Sequence, residues 1–224
     1  MREALTEGVP VVLAILPFGI VFGALARDAG LTLLEAMGLS GAVYAGASQL
    51  VILQLIASGT PLWSVLLAVV AVNFRHVLYS ASIGRHLQRF DTKEKALAFY
   101  LLVDPVFAAA ETRSRTRILT KSYYFAFALS LYTAWLTTTG LGFVFGALIG
   151  DQRVLGLDLL LPIYFLALTL QFRRRGGFLP VFCASAGASV LVYATLGSPW
   201  HVTLGGLFGI AAAAIMPPKG EGGR

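Results

Sequence analysis

A short polar cluster interrupts a long apolar stretch of the chain, and its central residue is Arg75. No Asp, Glu, Lys or Arg occurs at positions 36–74, and Arg75 lies 10 residues before the next cation, Arg85. Ten residues of helix span about 15 Å, roughly half of a hydrocarbon core. An arginine at that depth costs at least about 2.5 kcal/mol to insert, so it needs a partner or a wet cavity. Arg75 is therefore the first candidate for a binding residue.

Asp104 has the spacing expected of a partner for Arg75. It lies nine residues after Lys95, in a short apolar stretch at residues 96–110 that also contains Pro105. If the segments on both sides of the loop at 85–95 descend from that loop, Arg75 and Asp104 reach a similar depth. The pair could be a plain structural ion pair or part of a transport site, and the spacing is compatible with both.

Further polar side chains lie at membrane depth near this pair. Asn73, His76 and Tyr79 share a predicted helix with Arg75, and His76 could be a neutral hydrogen-bonding group or a proton carrier. Ser48 and Gln49 end the string Tyr-Ala-Gly-Ala-Ser-Gln, where small residues allow close helix contact. Their polar groups could hold helices together or bind a ligand.

The elements that must position these residues are membrane helices. The chain has 224 residues, of which 57% are hydrophobic and 12% charged, and charge-free runs cover residues 8–26, 36–74, 122–150 and 176–218. This composition predicts an all-α polytopic membrane protein with one transmembrane domain over residues 1–224. The net charge of +6 comes from cations in short loops, where they orient helices, so nucleic-acid binding is not expected. The single cysteine, Cys183, excludes an internal disulfide.

The predicted order of segments follows from the lengths of the apolar runs. The first contains Pro17, which should kink or break the helix, either for packing or to line a cavity. The stretch at 96–110 is short for a crossing and contains an acid and a proline, so it is predicted to be re-entrant or broken. The predicted crossing helices lie at residues 8–26, 35–57, 61–84, 123–149, 157–172, 178–195 and 201–216.

An eight-residue pattern at 18–25 recurs at 141–148, a fixed offset of 123, and predicts two repeats, about 8–112 and 122–218. If the Asp104 segment returns to its starting side, fourteen loop cations face two across the membrane, against ten and six for eight crossings. The positive-inside rule favours seven crossings with the N-terminus outside. The repeats would then be inverted, which is a transporter architecture.

Three motifs together resemble the AzlC family, the large subunit of branched-chain amino acid exporters. They are Pro-Phe-Gly at 17–19 with Phe22 and Gly23, the Tyr-Ala-Gly-Ala-Ser-Gln string at 44–49, and Asn-Phe-Arg-His-Val-Leu-Tyr at 73–79. The likeness covers nearly the whole chain, including Gly-Leu-Asp at 156–158. One departure is Asp104-Pro105, where the family commonly has Asp-Glu, so a role for the second acid cannot be carried over.

The resemblance implies a multi-pass protein of a prokaryotic cell membrane that exports leucine, isoleucine, valine and methionine with a small AzlD-like membrane subunit. An amino acid zwitterion needs a cation, an acceptor and an apolar wall. Glycine pairs at 19/23, 142/146 and 205/209 exceed what one small bundle needs, which favours a partner. The predicted substrate-binding residues are Arg75, Asn73, Ser48, Gln49, Asp104, Tyr79 and Phe18, and the predicted proton-relay residues are His76 and Asp104.

Two other classes stay open on the sequence alone. A channel or ion-translocating subunit would line its pore with Arg75 and Asp104, and a membrane scaffold would not transport at all. No Gly-x-x-x-x-Gly-Lys-Ser/Thr string occurs, so ATP coupling within the chain is not expected, nor is an enzymatic activity, a cofactor or a metal site.

Overall fold

The structure is a computed structural model that describes residues 2–146, single positions between 163 and 173, residues 176–197 and residues 200–216. The described residues form nine helices and no strands. The helices are α1 (Arg2–Asp28), α2 (Leu33–Ala42), α3 (Gly46–Ala57), α4 (Leu62–Gly84), α5 (Thr92–Tyr100), α6 (Asp104–Ser114), α7 (Lys121–Phe145), α8 (Phe178–Leu196) and α9 (Trp200–Ile215). Among them, α1, α4, α7 and α8 are long and apolar enough to cross a membrane.

The chain divides into two compact units. One comprises Met1–Gln54 and Val72–Asp151, and the other comprises Leu55–Ala71 and Gln152–Arg224. The predicted helix at 157–172 is described only at single positions, and the repeat positions 147–148 and the tail after 216 lie outside the described residues. The single domain and the repeat boundaries expected from the sequence stay predictions.

In the first unit, α1 and α7 lie against each other, and glycines let their backbones touch. A Cβ on Gly23 would lie 2.1 Å from the carbonyl oxygen of Thr139, and a Cβ on Gly142 would lie 2.0 Å from that of Ile20. Only glycine fits such approaches. Helix α1 stays continuous through Pro17, so the helix is not broken there, and the alternative of a kink stays a prediction.

Helices α1 and α7 run in the same direction. Near their starts, Tyr123 on α7 donates a hydrogen bond to Glu7 on α1, and near their ends Arg27 donates to the carbonyl of Val144. Contacts advance along both helices together, so the two are parallel.

Most cations of residues 2–146 lie at the end where α1 and α7 begin. Glu3 pairs with Arg113 at 2.9 Å and with Arg117, which places the start of α1 beside the loop before α7. The positive-inside rule assigns this cation-rich end to the cytoplasm. Within residues 2–146, the cations at this end are Arg2, Arg85, Arg89, Lys93, Lys95, Arg113, Arg115, Arg117 and Lys121.

Helices α5 and α6 form a hairpin that starts and ends at the cation-rich end. Glu94, in the first turn of α5, pairs with Lys121 at the start of α7, at 2.5 Å. At the end of α6, the Arg113 guanidinium lies 3.9 Å from the centroid of the Tyr123 ring. The chain enters through α5, bends at residues 101–103 and returns through α6. This is the re-entrant geometry that the sequence predicts for the short segment.

A second bend divides the stretch that the sequence predicts as one crossing helix over 35–57. Helix α2 ends at Ala42 and α3 begins at Gly46. The bend brings the Gln49 amide to within 2.9 Å of the Ser40 hydroxyl, although nine residues of straight helix span about 13.5 Å. The prediction of a single crossing helix here is therefore wrong.

The second bend also changes the orientation of the chain. Ser82 on α4 donates to Glu111 near the end of α6, so α4 runs towards the cation-rich end. Because α1 finishes at the opposite end and α4 is long enough to cross, the α2–α3 segment has to return to the end where it began. The N-terminus lies at the cation-rich end, which the positive-inside rule places on the cytoplasmic side, whereas the sequence predicted it outside. The predicted inversion of α1 against α7 is wrong for this reason.

Two segments of opposite orientation, each a long helix followed by a hairpin, do occur, but both lie within residues 2–114. Helix α1 is followed by a hairpin from its far end, and α4, which runs the other way, is followed by the α5–α6 hairpin. Each hairpin begins with a capping box, Thr32 with Glu35 and Asp91 with Glu94, in which side chain and backbone donors are satisfied reciprocally.

In the second unit, α8 and α9 pack through small residues. A Cβ on Gly205 would lie 1.8 Å from the Ser189 hydroxyl, and a Cβ on Gly209 would lie 3.0 Å from the Ser185 Cβ. All three glycine pairs singled out in the sequence are thus used within the chain. These glycine pairs therefore give no support for a partner subunit, which stays a prediction.

Candidate functional site

Arg75 and Asp104 form an ion pair where the α5–α6 hairpin bends. Arg75 Nη2 lies 3.1 Å from Asp104 Oδ2, and the Tyr79 hydroxyl donates to Asp104 Oδ1 at 2.8 Å. Arg75 and Tyr79 are four residues apart on α4, so both side chains lie on one face of the helix. The pairing that the sequence spacing predicts is therefore present in the structure.

The local sequence explains why α6 starts at Asp104. Val103 is extended, with φ −96° and ψ 170°, and Pro105 occupies the first turn of α6. Proline suits that position because the first helical N–H groups have no partner in the helix, and an acid there is favoured by the helix dipole. Pro105 therefore fixes a helix start that holds the Asp104 carboxylate towards α4.

The pair is only partly covered. The Arg75 side chain is 23% exposed and the Asp104 side chain is 25% exposed. Two buried nitrogens beside it, Arg75 Nε and His76 Nε2, have no hydrogen-bond partner among the described residues. A partly exposed ion pair can bind a ligand, whereas a fully sealed pair cannot be reached, and the Arg75 Nε–H is a further donor left without an acceptor.

Aromatic rings form one wall of this cluster. The rings of Tyr79 and Phe107 stack with centroids 4.2 Å apart and planes at 9°, and the His76 ring meets the Tyr79 ring edge-on at 5.7 Å. The structure thus brings four predicted site residues together: Arg75, Asp104, Tyr79 and His76.

Ser48 and Asn73 form a neighbouring contact between α3 and α4. The buried Ser48 hydroxyl donates to Asn73 Oδ1 at 2.6 Å. Asn73 lies two residues before Arg75, so this contact fixes α3 beside the α4 segment that carries the ion pair.

Gln49 belongs to a separate, fully buried network. Trp135 Nε1 donates to Gln49 Oε1 at 3.1 Å, and Gln49 Nε2 donates to the Ser40 hydroxyl, which is 2.9 Å from the Thr139 hydroxyl. These bonds use both ends of the Gln49 amide and hold α2, α3 and α7 together. Phe18 lies half-buried on α1. The substrate-binding roles of Gln49 and Phe18 stay predictions.

The bends of the two hairpins meet near the middle of α7. The Tyr100 hydroxyl, at the end of α5, donates to the carbonyl of Gly41 in the last turn of α2. Tyr132, near the midpoint of α7, donates to the same carbonyl at 3.3 Å, and its ring meets the Tyr44 ring edge-on at 4.9 Å. Sequence reasoning missed these contacts, although a tyrosine one residue before a helix break is a usable signal.

Among the residues that the structure describes, no group of three His, Cys, Asp or Glu side chains is arranged to hold a metal ion.

Long apolar helices combined with bent hairpins define a polytopic α-helical membrane protein. A family model described as AzlC protein matches residues 10–149. The chain belongs to the AzlC family.

Curated relatives are membrane proteins too. The chain is 33% identical to the inner membrane protein YgaZ of Escherichia coli over 196 residues, which cover 83% of this chain and 78% of the relative. It is 29% identical to an uncharacterized membrane protein of Archaeoglobus fulgidus over 217 residues, 97% of this chain and 92% of that one. An uncharacterized membrane protein of Helicobacter pylori is 24% identical over 180 residues, 78% of this chain and 76% of the relative. No solved structure matches the chain.

Proposed function

We propose that this protein is the large subunit of a secondary transporter that exports branched-chain amino acids across the cell membrane. The observation that carries the proposal is the partly exposed Arg75–Asp104 pair, which lies where a re-entrant hairpin bends. Transporters commonly bind substrate near the membrane midplane, beside interrupted helices. Membership of the AzlC family supports the substrate class.

The chemistry of the pair suits a zwitterion. The Arg75 guanidinium offers a planar fork to a carboxylate, and its Nε has no partner among the described residues. Asp104 is the acceptor for the substrate ammonium group, held in place by Tyr79. The stacked rings of Tyr79 and Phe107 provide apolar surface for an aliphatic side chain.

The proposal includes a small AzlD-like membrane subunit as partner. Its support is the family resemblance alone, because the glycine pairs are used within the chain. Ser48 and Asn73 are proposed to orient polar groups of the substrate, and His76 is proposed to carry protons with Asp104.

Counterflow of radiolabelled leucine in proteoliposomes tests the proposal, with the small subunit present and absent. A carrier exchanges labelled for unlabelled leucine, a channel only dissipates gradients, and a scaffold does neither. We expect exchange that is strongest with both subunits and abolished by Arg75→Gln. Arg115→Gln is the matched control, since Arg115 is 75% exposed at the cation-rich end. Absence of exchange in every preparation, with folded protein in the membrane, would contradict the transport function.

A further inference from the structure

A cavity of about 520 Å³ opens between α1, α6 and α7 at the cation-rich end. Its volume lies within the range of about 300–1,000 Å³ that is usual for small-molecule sites. The cavity is separate from the ion pair. Pro105, Ala108 and Ala109 line it from one face of α6, whereas Asp104 and Phe107, on another face, contact α4.

The charged lining of the cavity is electrically balanced. Glu3 and Glu7 project from α1, and Arg113 and Arg117 come from the end of α6 and the loop that follows it. Two negative and two positive charges cancel. A ligand that also carries one charge of each sign can therefore replace contacts here without leaving an unpaired charge.

Two of these side chains, Glu7 and Arg113, have an atom that makes no short hydrogen bond with the other charged groups. Arg113 Nη1 lies 3.7 Å from Glu7 Oε1, which is longer than a charge-assisted hydrogen bond. Arg113 Nε is buried and has no partner among the described residues, although its guanidinium lies over the Tyr123 ring. A buried donor without an acceptor is unfavourable, so this nitrogen has capacity for a ligand carboxylate.

The deeper wall of the cavity is apolar. Val11 on α1, Ala108 on α6 and Phe127 on α7 face it, and Ala108 is exposed there. A carboxylate donor, an ammonium acceptor and an apolar wall in one cavity match the three parts of an aliphatic amino acid.

We propose that this cavity is a second amino acid site, which loads the substrate on the cytoplasmic side before it reaches Arg75 and Asp104. The α-carboxylate binds Arg113 and Arg117, the ammonium group binds Glu7, and the side chain lies against the apolar wall. This assignment rests on the transport function proposed above.

The stoichiometry of leucine binding to the purified full-length protein tests the assignment. Wild-type protein should bind two leucines per chain, and Ala108→Phe, which fills the cavity without changing its charge, should bind one. Arg75→Gln should also bind one, having lost the other site. Ala96→Phe is the matched control, because Ala96 is exposed on α5 and does not line the cavity; it should still bind two.

Protection of a cysteine provides an independent measurement if Ala108→Phe does not fold. In a Cys183→Ser background, the thiol of Ala108→Cys should be alkylated about tenfold more slowly at a leucine concentration of ten times Kd. Leucinamide, which lacks the carboxylate, and 4-methylpentanoate, which lacks the ammonium group, should protect less. Alkylation of Arg115→Cys at the same end should not change with leucine.

The outcomes separate this proposal from the transport function. One leucine per chain that survives Ala108→Phe, with no protection at position 108 and normal counterflow, overturns the cavity site and leaves the transport function standing. Absence of leucine binding together with absence of counterflow overturns both.

Discussion

Tyr100 donates its hydroxyl hydrogen to the carbonyl oxygen of Gly41, and this contact joins the bends of two hairpins. Gly41 lies near the end of α2 and Tyr100 at the end of α5, and both contact Tyr132 on α7. Tyr132 lies near the midpoint of α7, so two interrupted helices from opposite ends meet at half depth. A unit with this geometry has irregular backbone where a midplane binding site is expected.

The first prediction concerns topology. In a Cys183→Ser background, single cysteines at Arg89 and Thr116 should both be labelled from the cytoplasmic side, because both ends of the α5–α6 hairpin lie at the cation-rich end. An N-terminal tag should be accessible from the same side. A cysteine at Asp28, at the far end of α1, is the control and should be labelled only from the opposite side. Labelling of 89 and 116 from different sides would show that this segment crosses.

The second prediction concerns the contact between α1 and α7. Gly23→Ala should destabilise the protein by about 1–3 kcal/mol or more, because its Cβ would meet backbone atoms at 2.1 Å and 2.6 Å that cannot move aside. Gly38→Ala is the control: Gly38 is inside α2 with no heavy atom within 4 Å of an added Cβ, so alanine should be neutral or stabilise by up to about 1 kcal/mol. Thermal unfolding in detergent measures both. Equal melting temperatures for the two variants would refute the close contact.

The ion pair could be predicted from the sequence because its two residues are placed by their distance along the chain from a single loop. Arg75 and Asp104 lie at similar distances from one loop, and Pro105 marks the start of a helix, so distance along the chain translates into depth. The cost of an unpaired charge in a membrane then selects the partner.

The bend between α2 and α3 could not be predicted in the same way. Residues 43–45 contain no proline or charge, and the small residues that follow suit a continuous helix as well as a bent one. The bend depends on distant contacts: Gly46 lies against the Trp135 ring, and Gln49 bonds to Trp135 and Ser40. Missing this one bend reversed the predicted orientation of the N-terminus.

The third prediction tests whether Gln49 is structural. Gln49→Leu removes the acceptor of Trp135 Nε1 and the donor to Ser40, which should cost about 1–3 kcal/mol for each buried group left unpaired. The half-saturating leucine concentration of the remaining folded protein should not change. Ile56→Leu, at an exposed position on the same helix, should alter neither quantity. Weaker leucine binding without loss of stability would instead support the substrate-binding role predicted from the sequence.

The fourth prediction is a pH dependence at the start of α5. The pKa of Glu94 lies below its ordinary value of 4.5, first because Lys121 donates a hydrogen bond to the carboxylate and then because the Asp91 backbone N–H does. Since the folded-state pKa is lowered, the stabilisation is complete above 4.5 and is lost as the pH falls through the lowered value. In Glu94→Gln the amide oxygen can still accept the capping hydrogen bond from the Asp91 backbone N–H, but the ion pair with Lys121 is lost. Its melting temperature should be lower than that of wild type at neutral pH, and the difference should disappear in acid. A difference independent of pH would rule out the ion pair as its cause.

The last prediction tests whether Arg75 and Asp104 act as one unit. Removal of either charge leaves the other without its partner at membrane depth, so Arg75→Gln and Asp104→Asn should each cost about 1–3 kcal/mol, between the values for exposed and buried pairs. The double variant should cost less than the sum, because two neutral amides replace two charges in the same space.

Recovery of stability and recovery of transport should then separate in the double variant. A purely structural pair would regain both folded protein and leucine counterflow, whereas a pair that binds the zwitterion regains folded protein but not counterflow, because the amides cannot neutralise the substrate charges. We expect the second result, since Arg75 Nε and His76 Nε2 have no partners among the described residues and the pair is partly exposed. Exchange of the charges, Arg75→Asp with Asp104→Arg, should likewise restore folding without transport. Single variants that accumulate and melt like wild type would show that the two side chains do not stabilise each other in the membrane, and the close approach of α4 and α6 at this point would have to be abandoned.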